Sequence, residues 1–218
     1  MNLEKRSTGF QPVYFRRPRA GSPCSVKLIA ATASPRRHTI LKKLGVAFEV
    51  IVPHVEEIHD GNDPVGTVLH NARAKYVATR SACLEGERPR EPMPILAADT
   101  LVWFEGELIG KPRDLDEAKV FLLRFSGKTQ IVFTAVAMGT GAEPELRVEA
   151  SSVRFKILDE AEICAYVAQV HLNLLDRAGA FDIDESGERL IAGWSGSYTN
   201  IMGLPEEVVR GWLERLRL

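Results

Sequence analysis

The sequence predicts an α/β protein. Short apolar runs alternate with amphipathic segments along the chain, and helix-start signals recur between those runs. No internal repeat or low-complexity segment interrupts the alternation. The 218 residues are 45% hydrophobic and 26% charged, an ordinary globular balance with enough chain for a real core.

Taken in order, VKLIAA (26–31) reads as a buried strand. Ser34 then reads as an N-cap, Pro35 as the first helical residue and Gly45 as the stop, with Ile40, Leu41 and Leu44 as the apolar stripe. FEVIV, from Phe48, reads as a second strand. Asp63-Pro64 opens a helix on which Val65, Val68, Leu69, Ala72 and Tyr76 keep helical spacing, placing Lys75 at the edge of the stripe. EGERPREPMP (85–94) is a loop. ILAA and LVWF read as two short strands flanking Asp99-Thr100. Asp114 and Glu117 give DLDEAKVFLLRF a start like a capping box. IVFTAVAM and RVEASSVRFKI read as an antiparallel pair across a Gly-rich loop. Asp159 starts a further helix and Pro205 the last one.

Charge is uneven although the formal total is −1. Residues 1–25 hold Lys5, Arg6, Arg16, Arg17 and Arg19 against Glu4, a net +4, and the remainder carries −5. That segment reads as a basic, flexible extension, and residues 26–218 as one domain with two lobes. A basic arm for nucleic acid is the alternative reading of 1–25; the total charge gives no reason to expect nucleic acid as a partner. That leading segment contains no apolar stretch long enough for a signal peptide or a membrane span. Cys24, Cys83 and Cys164 are odd in number and widely spaced, which argues against a disulfide framework and for a reducing cytoplasm. HVEEIHD (54–60) could be imagined as a zinc site, but tetrahedral zinc usually recruits a more recognisable ligand set.

Several stretches bear on chemistry. SGKT at Ser126 lacks the earlier glycine of a P-loop, having Leu122 there, and it follows a helix rather than a strand. GELIGKP at Gly106 ends in proline and is no Walker loop. Ser34-Pro35-Arg36-Arg37 sits where a strand hands over to a helix. Free N–H groups there favour anions, and the macrodipole disfavours cations unless something negative arrives. Two guanidinium forks suit phosphate oxygens; a solvated basic helix start is the plainer reading. Asp99 interrupts an apolar run, as a strand-end cap or as a functional carboxylate. Lys75 and Lys111 lie beside turns or apolar edges, and Glu56 and Glu57 lie just past the second strand, where a solvated acidic loop is the plain reading.

Together these stretches resemble the Maf family of nucleoside triphosphate pyrophosphatases from about Val26 to the C-terminus. LIAATASPRRHTIL matches the family opening L-A-S-x-S-P-R-R with its following leucines, and HVEE matches the short acidic stretch. Ala72 to Lys75 matches A-x-x-K, AADT matches G-A-D-T, and GKP at Gly110 matches G-K-P. FSGKTQ, TAV at Thr134, AGAFDID at Ala178 and GLP at Gly203 follow in family order. Three departures stand out: Thr32 for serine, Gln130 for histidine, and Asp184 where pyrimidine-type members carry glutamine.

The resemblance implies a two-lobed mixed β-sheet with flanking helices and a central cleft, of the inosine-triphosphatase-like kind. It implies metal-dependent hydrolysis of a nucleoside triphosphate to monophosphate and pyrophosphate, for nucleotide-pool cleaning. Thr32, Ser34, Arg36, Arg37, Lys75 and Lys111 are expected to bind substrate. Glu57 and Asp99 are expected to hold a divalent metal, Mg²⁺ with Mn²⁺ or Co²⁺ as alternatives. Glu56 competes with Glu57 for that role. Asp99 is the expected proton acceptor from water. Arg36, Thr100 and Asp184 are assigned to base selection. An ionised Asp184 only accepts hydrogen bonds, so if it reads the base it turns preference from dTTP and UTP toward CTP, GTP or 7-methyl-GTP. The resemblance further implies a homodimer. The alternative function is a nucleotide-binding regulator of septum formation with little catalysis.

Overall fold

A computed structural model of the chain describes residues 28–85, 93–184 and 187–216. The readings of segment 1–25 lie outside these residues, as does most of the loop after Glu85.

The strands are β1 (Leu28–Ala31), β2 (Phe48–Val50), β3 (Ile95–Phe104), β4 (Glu107–Ile109), β5 (Thr129–Gly139), β6 (Glu145–Phe155) and β7 (Ile191–Ser195). They form one seven-stranded mixed sheet in the order β2-β1-β3-β5-β6-β7, with β4 also on β3. β1 runs parallel to β2 and β3; the other pairings are antiparallel. The helices are α1 (Pro35–Lys43), α2 (Pro64–Glu85), α3 (Leu115–Phe125), α4 (Glu160–Val170), α5 (Tyr198–Ile201) and α6 (Glu206–Leu216).

Alternation along the strands sorts side chains onto two faces. In the first lobe Leu28, Ala30, Leu96, Ala98, Val136 and Met138 meet Ile40 and Leu41 of α1 and Val209, Trp212 and Leu213 of α6. Their neighbours Ile29, Ala31, Ile95, Ala97, Ala135 and Ala137 meet Val68, Ala72 and Tyr76 of α2 on the other face. The second lobe buries the far ends of the long strands, including Val102, Phe104, Val132 and Phe155, under α3 and α4.

Asp99-Thr100 does not divide two short strands. β3 runs unbroken for ten residues, and Asp99 and Thr100 pair with Ala135 and Thr134 of β5. The acid is tolerated inside a strand because α2 supplies its partners, as described below. The capping signals are realised in part: Ser34 sits at the N-cap of α1 but its side chain makes no capping bond there. Asp159 and Glu162 form a complete capping box on α4. Asp114 accepts from the Glu117 amide at 2.8 Å, but Glu117 turns to the Arg113 amide and guanidinium, so only half a box forms on α3.

The topology creates an opening. β5 pairs with β3 from Ile95 to Trp103 along one edge. On the other edge β1 pairs only as far as Ala97, and β4 begins at Val102. Between them Ala98–Leu101 has no strand neighbour. This gap lies at the carboxyl end of the parallel strand β1, where open α/β sheets place ligands.

Candidate active site

The gap in the β3 edge opens into a cleft of about 470 Å³. Ser34 enters it from the turn after β1, Arg36 and Arg37 from the first turn of α1, and Gly110 and Lys111 from the turn after β4. Lys75 of α2, Glu57 and His59 of the loop before α2, and Asp99 and Thr100 of β3 complete the polar wall, while Val132, Phe181, Ile201 and Met202 are among its apolar lining. Residues far apart in sequence therefore share one hollow.

Asp99 is 4% exposed, and a charge so placed needs partners. Lys75 Nζ donates to Asp99 Oδ1 at 2.6 Å and lies 2.7 Å from Glu57 Oε1. Asn71 Nδ2 donates to Asp99 Oδ2 at 3.1 Å. Asn71 and Lys75 are one helical turn apart on α2, which brings both to the same side of the helix.

Thr100, next along β3, points to the opposite face. Arg37 reaches it there: Nη2 donates to Thr100 Oγ1 at 2.9 Å, Nη1 to Thr32 Oγ1 at 3.2 Å, and Nε to the Gly203 carbonyl at 2.7 Å. Thr100 is hydrogen-bonded to Thr134 Oγ1 at 3.0 Å, and Thr134 donates to the Asn200 carbonyl at 3.1 Å. Asn200, fully buried, donates to the Val132 carbonyl and to Ser151 Oγ. Burial pulls the Arg37 guanidinium down to about 10, with Arg36 acting in the same direction and Asp99 and Glu57 opposing. It remains a cation at neutral pH.

Arg36 faces the cleft and lies 3.3 Å from Asp182 Oδ1. Arg177 also contacts the Asp182 carboxylate. Burial lowers the Arg36 pKa, opposed by Asp184 and then Tyr166.

The structure thus brings Ser34, Arg36, Arg37, Glu57, Lys75, Asp99, Thr100 and Lys111 together. Lys111 is 64% exposed, at the rim, 3.9 Å from the exposed Asp176. Thr32 is buried and is not part of the cleft wall; it serves from behind, accepting from Arg37 and from the Ser34 amide. Glu56 is exposed and outside the wall, so Glu57 is the acid of that pair that reaches the site. Asp184 is not among the residues of the wall, and its charge opposes the lowering of the Arg36 pKa. Asn71, Thr134, Asp182, Asn200 and Gly203 were not marked as site residues from sequence. Thr134, Asp182 and Gly203 lie within the TAV, AGAFDID and GLP stretches, and the helical offset of Asn71 from Lys75 could have drawn attention to it.

The donor set suits a hard divalent cation. Two carboxylates already converge on one cationic nitrogen, and Mg²⁺ commonly takes one or two carboxylates with substrate phosphates and water completing its shell. Among the described residues no three or more His, Cys, Asp or Glu side chains gather as a metal cage, and HVEEIHD forms none. Among them, too, no helix is long and apolar enough to cross a membrane.

A family model described as Maf-like protein matches residues 27–216. The chain is similar to a protein named dTTP/UTP pyrophosphatase from Akkermansia muciniphila, 36% identical over 179 residues that cover 82% of this chain and 90% of the relative. It is 37% identical over 183 residues to a protein of the same name from Chromobacterium violaceum, covering 82% and 89%. It is 34% identical over 182 residues to a nucleoside triphosphate pyrophosphatase from Haemophilus ducreyi, again covering 82% and 89%.

Proposed function

The chain belongs to the Maf-like family, and from that premise we propose that it is a metal-dependent pyrophosphatase acting on dTTP and UTP. Hydrolysis of nucleoside triphosphates is the activity that its relatives' names carry. One observation supports the site above all: Arg36, Lys75 and Lys111 meet Glu57 and Asp99 in one cleft at the gap in the β3 edge.

The task is to hold a highly charged polyphosphate while water attacks the α-phosphorus. Positioning and electrostatic stabilisation supply most of the effect in such reactions. Arg36 and Lys111 balance phosphate charge from the two turns that bound the gap. Lys75 screens the acids from each other and from the incoming anion. Asp99, held on a rigid strand with an oxygen toward the cleft, takes the proton of the attacking water. The bond from the α-phosphorus to the bridging oxygen breaks, and the electron pair leaves with pyrophosphate. A divalent ion held by Glu57 and Asp99 would neutralise phosphate oxygens when bound.

The preference for dTTP and UTP follows the relatives' names. A homodimer in the cytoplasm belongs to the same reading, and sedimentation of the purified chain tests the dimer. Pyrophosphate release from dTTP, UTP, CTP, GTP and 7-methyl-GTP, with and without Mg²⁺, tests the function. The expected result is fastest release from dTTP and UTP, abolished by chelator. No release from any triphosphate overturns it in favour of a binding role.

A further inference from the structure

We propose that Asn71 is a positioning residue that ties the Glu57 loop to Asp99 and so sets the spacing of the two acids. The proposal rests on the pyrophosphatase reading above.

Asn71 is fully buried, on the face of α2 that points at β3. Its side chain makes three hydrogen bonds. Oδ1 accepts from the Ile58 amide at 3.0 Å, Nδ2 donates to the Ile58 carbonyl at 3.1 Å, and Nδ2 donates its second hydrogen to Asp99 Oδ2 at 3.1 Å. A primary amide has two donors and one carbonyl oxygen, so every donor is in use. The orientation is fixed by its partners. A flipped amide would set its oxygen against a carbonyl and a carboxylate, and its NH₂ against an N–H.

The consequence lies in what the two ends are attached to. Asp99 is in the long strand β3, locked to β5 on one edge. Glu57 precedes Ile58 in a stretch with no helix or strand of its own. The Ile58 side chain is 42% exposed, so core packing does not anchor that residue. Asn71 gripping both polar groups of the Ile58 backbone holds the loop in register with the strand. Further along, the Thr67 hydroxyl is bonded to the Asp60 amide and carbonyl, again from α2. Lys75 also joins Glu57 to Asp99, but through its charge, which an incoming cation or phosphate competes for. The Asn71 bonds to Ile58 are neutral, and neither residue lines the cleft, so they persist when Lys75 is engaged elsewhere.

Asparagine is the side chain that fits. Aspartate has the same shape but would face Asp99 and the Ile58 carbonyl with acceptors only, and leucine has the volume without any bond.

The test compares wild type with Asn71→Leu on three readouts: hydrogen exchange at the Ile58 amide, Mn²⁺ affinity by electron paramagnetic resonance, and steady-state kinetics with dTTP. The expected result is loss of Ile58 protection, Mn²⁺ binding weakened about tenfold, and kcat lowered about a hundredfold with KM within threefold of wild type. Should Asn71→Leu not fold, Asn71→Ser, whose hydroxyl cannot span both Ile58 and Asp99, carries the same expectation. A folded variant with wild-type kcat and Mn²⁺ affinity overturns the inference. Wild type that hydrolyses no triphosphate fails the pyrophosphatase reading instead, a separate and recognisable outcome.

Discussion

Replacing Asp99 by asparagine keeps the shape of the side chain and removes its charge. The surroundings make the effect calculable. Lys75 Nζ meets Oδ1 at 2.6 Å and Asn71 Nδ2 meets Oδ2 at 3.1 Å, so both oxygens face donors. An amide can offer its oxygen to only one of them. The better arrangement turns the oxygen to Lys75 and sets NH₂ against NH₂ at Asn71. One hydrogen bond is lost and the ion pair with Lys75 becomes a bond from a cation to a neutral oxygen, worth about 1–3 kcal/mol together. Lys75 retains Glu57, so the fold survives, with Tm lowered by about 2–10 °C. Turnover responds more strongly, because an amide cannot take the proton of water. General-base action contributes about 10²–10⁴-fold, or about 3–5 kcal/mol of barrier. The assay is pyrophosphate release from dTTP at saturating Mg²⁺, beside a thermal melt of the same preparation. A variant that melts within the stated range and turns over within threefold of wild type refutes Asp99 as proton acceptor.

Other expectations follow from the network behind the cleft. Asn200→Ala removes the bonds to the Val132 carbonyl and Ser151 Oγ, and should destabilise by about 2–4 kcal/mol, read as a lower urea midpoint at constant m-value. Gly203 has φ +102°, and an added Cβ would come within 3.3 Å of Thr100 Oγ1, so Gly203→Ala should displace the carbonyl that holds Arg37 and raise KM for dTTP, measured by steady-state kinetics. Tyr166, whose hydroxyl oxygen accepts from the Asp182 amide, is pushed up to about 12, chiefly by burial. An unfolded tyrosine ionises near 10, so the unfolded chain loses that proton first, and stability should fall as pH rises from about 10 to 12. Ultraviolet titration should show a late-ionising tyrosine that Tyr166→Phe removes.

Local signals carried most of the fold. Apolar runs, N-caps and glycine stops depend on near neighbours, so β1, α1, α3 and α4 were legible from their own residues. What failed was local reasoning about a tertiary fact. Asp99-Thr100 reads as a break only while the partners of Asp99 are unknown; Asn71 and Lys75, on another element, make it an ordinary strand position. β4 has three residues, and β7 contains a glycine and buries one position of five, so neither carries a period. The cleft residues were legible through motif resemblance. The gap along β3 was not, because it is a property of where β1 stops and β4 starts.

The paired arginines illustrate the same limit at the scale of one helical turn. Residues adjacent in a helix point about 100° apart, so Arg36 and Arg37 cannot do the same work. Arg37 turns toward the sheet, and three of its nitrogens donate to Gly203, Thr32 and Thr100. Its charge at the N-terminus of α1 runs against the macrodipole, and its burial shows in the lowered pKa. Oxygen acceptors from three separate segments offset both effects, which makes Arg37 a clamp that joins β1, β3 and the turn after α5. Arg36 turns to the cleft with a single carboxylate neighbour at 3.3 Å among the hydrogen-bonded partners of its guanidinium. The demand of Arg37 is thus met by neutral oxygens inside the protein, and we infer that Arg36, on the cleft wall, is the one of the pair left to meet a substrate phosphate.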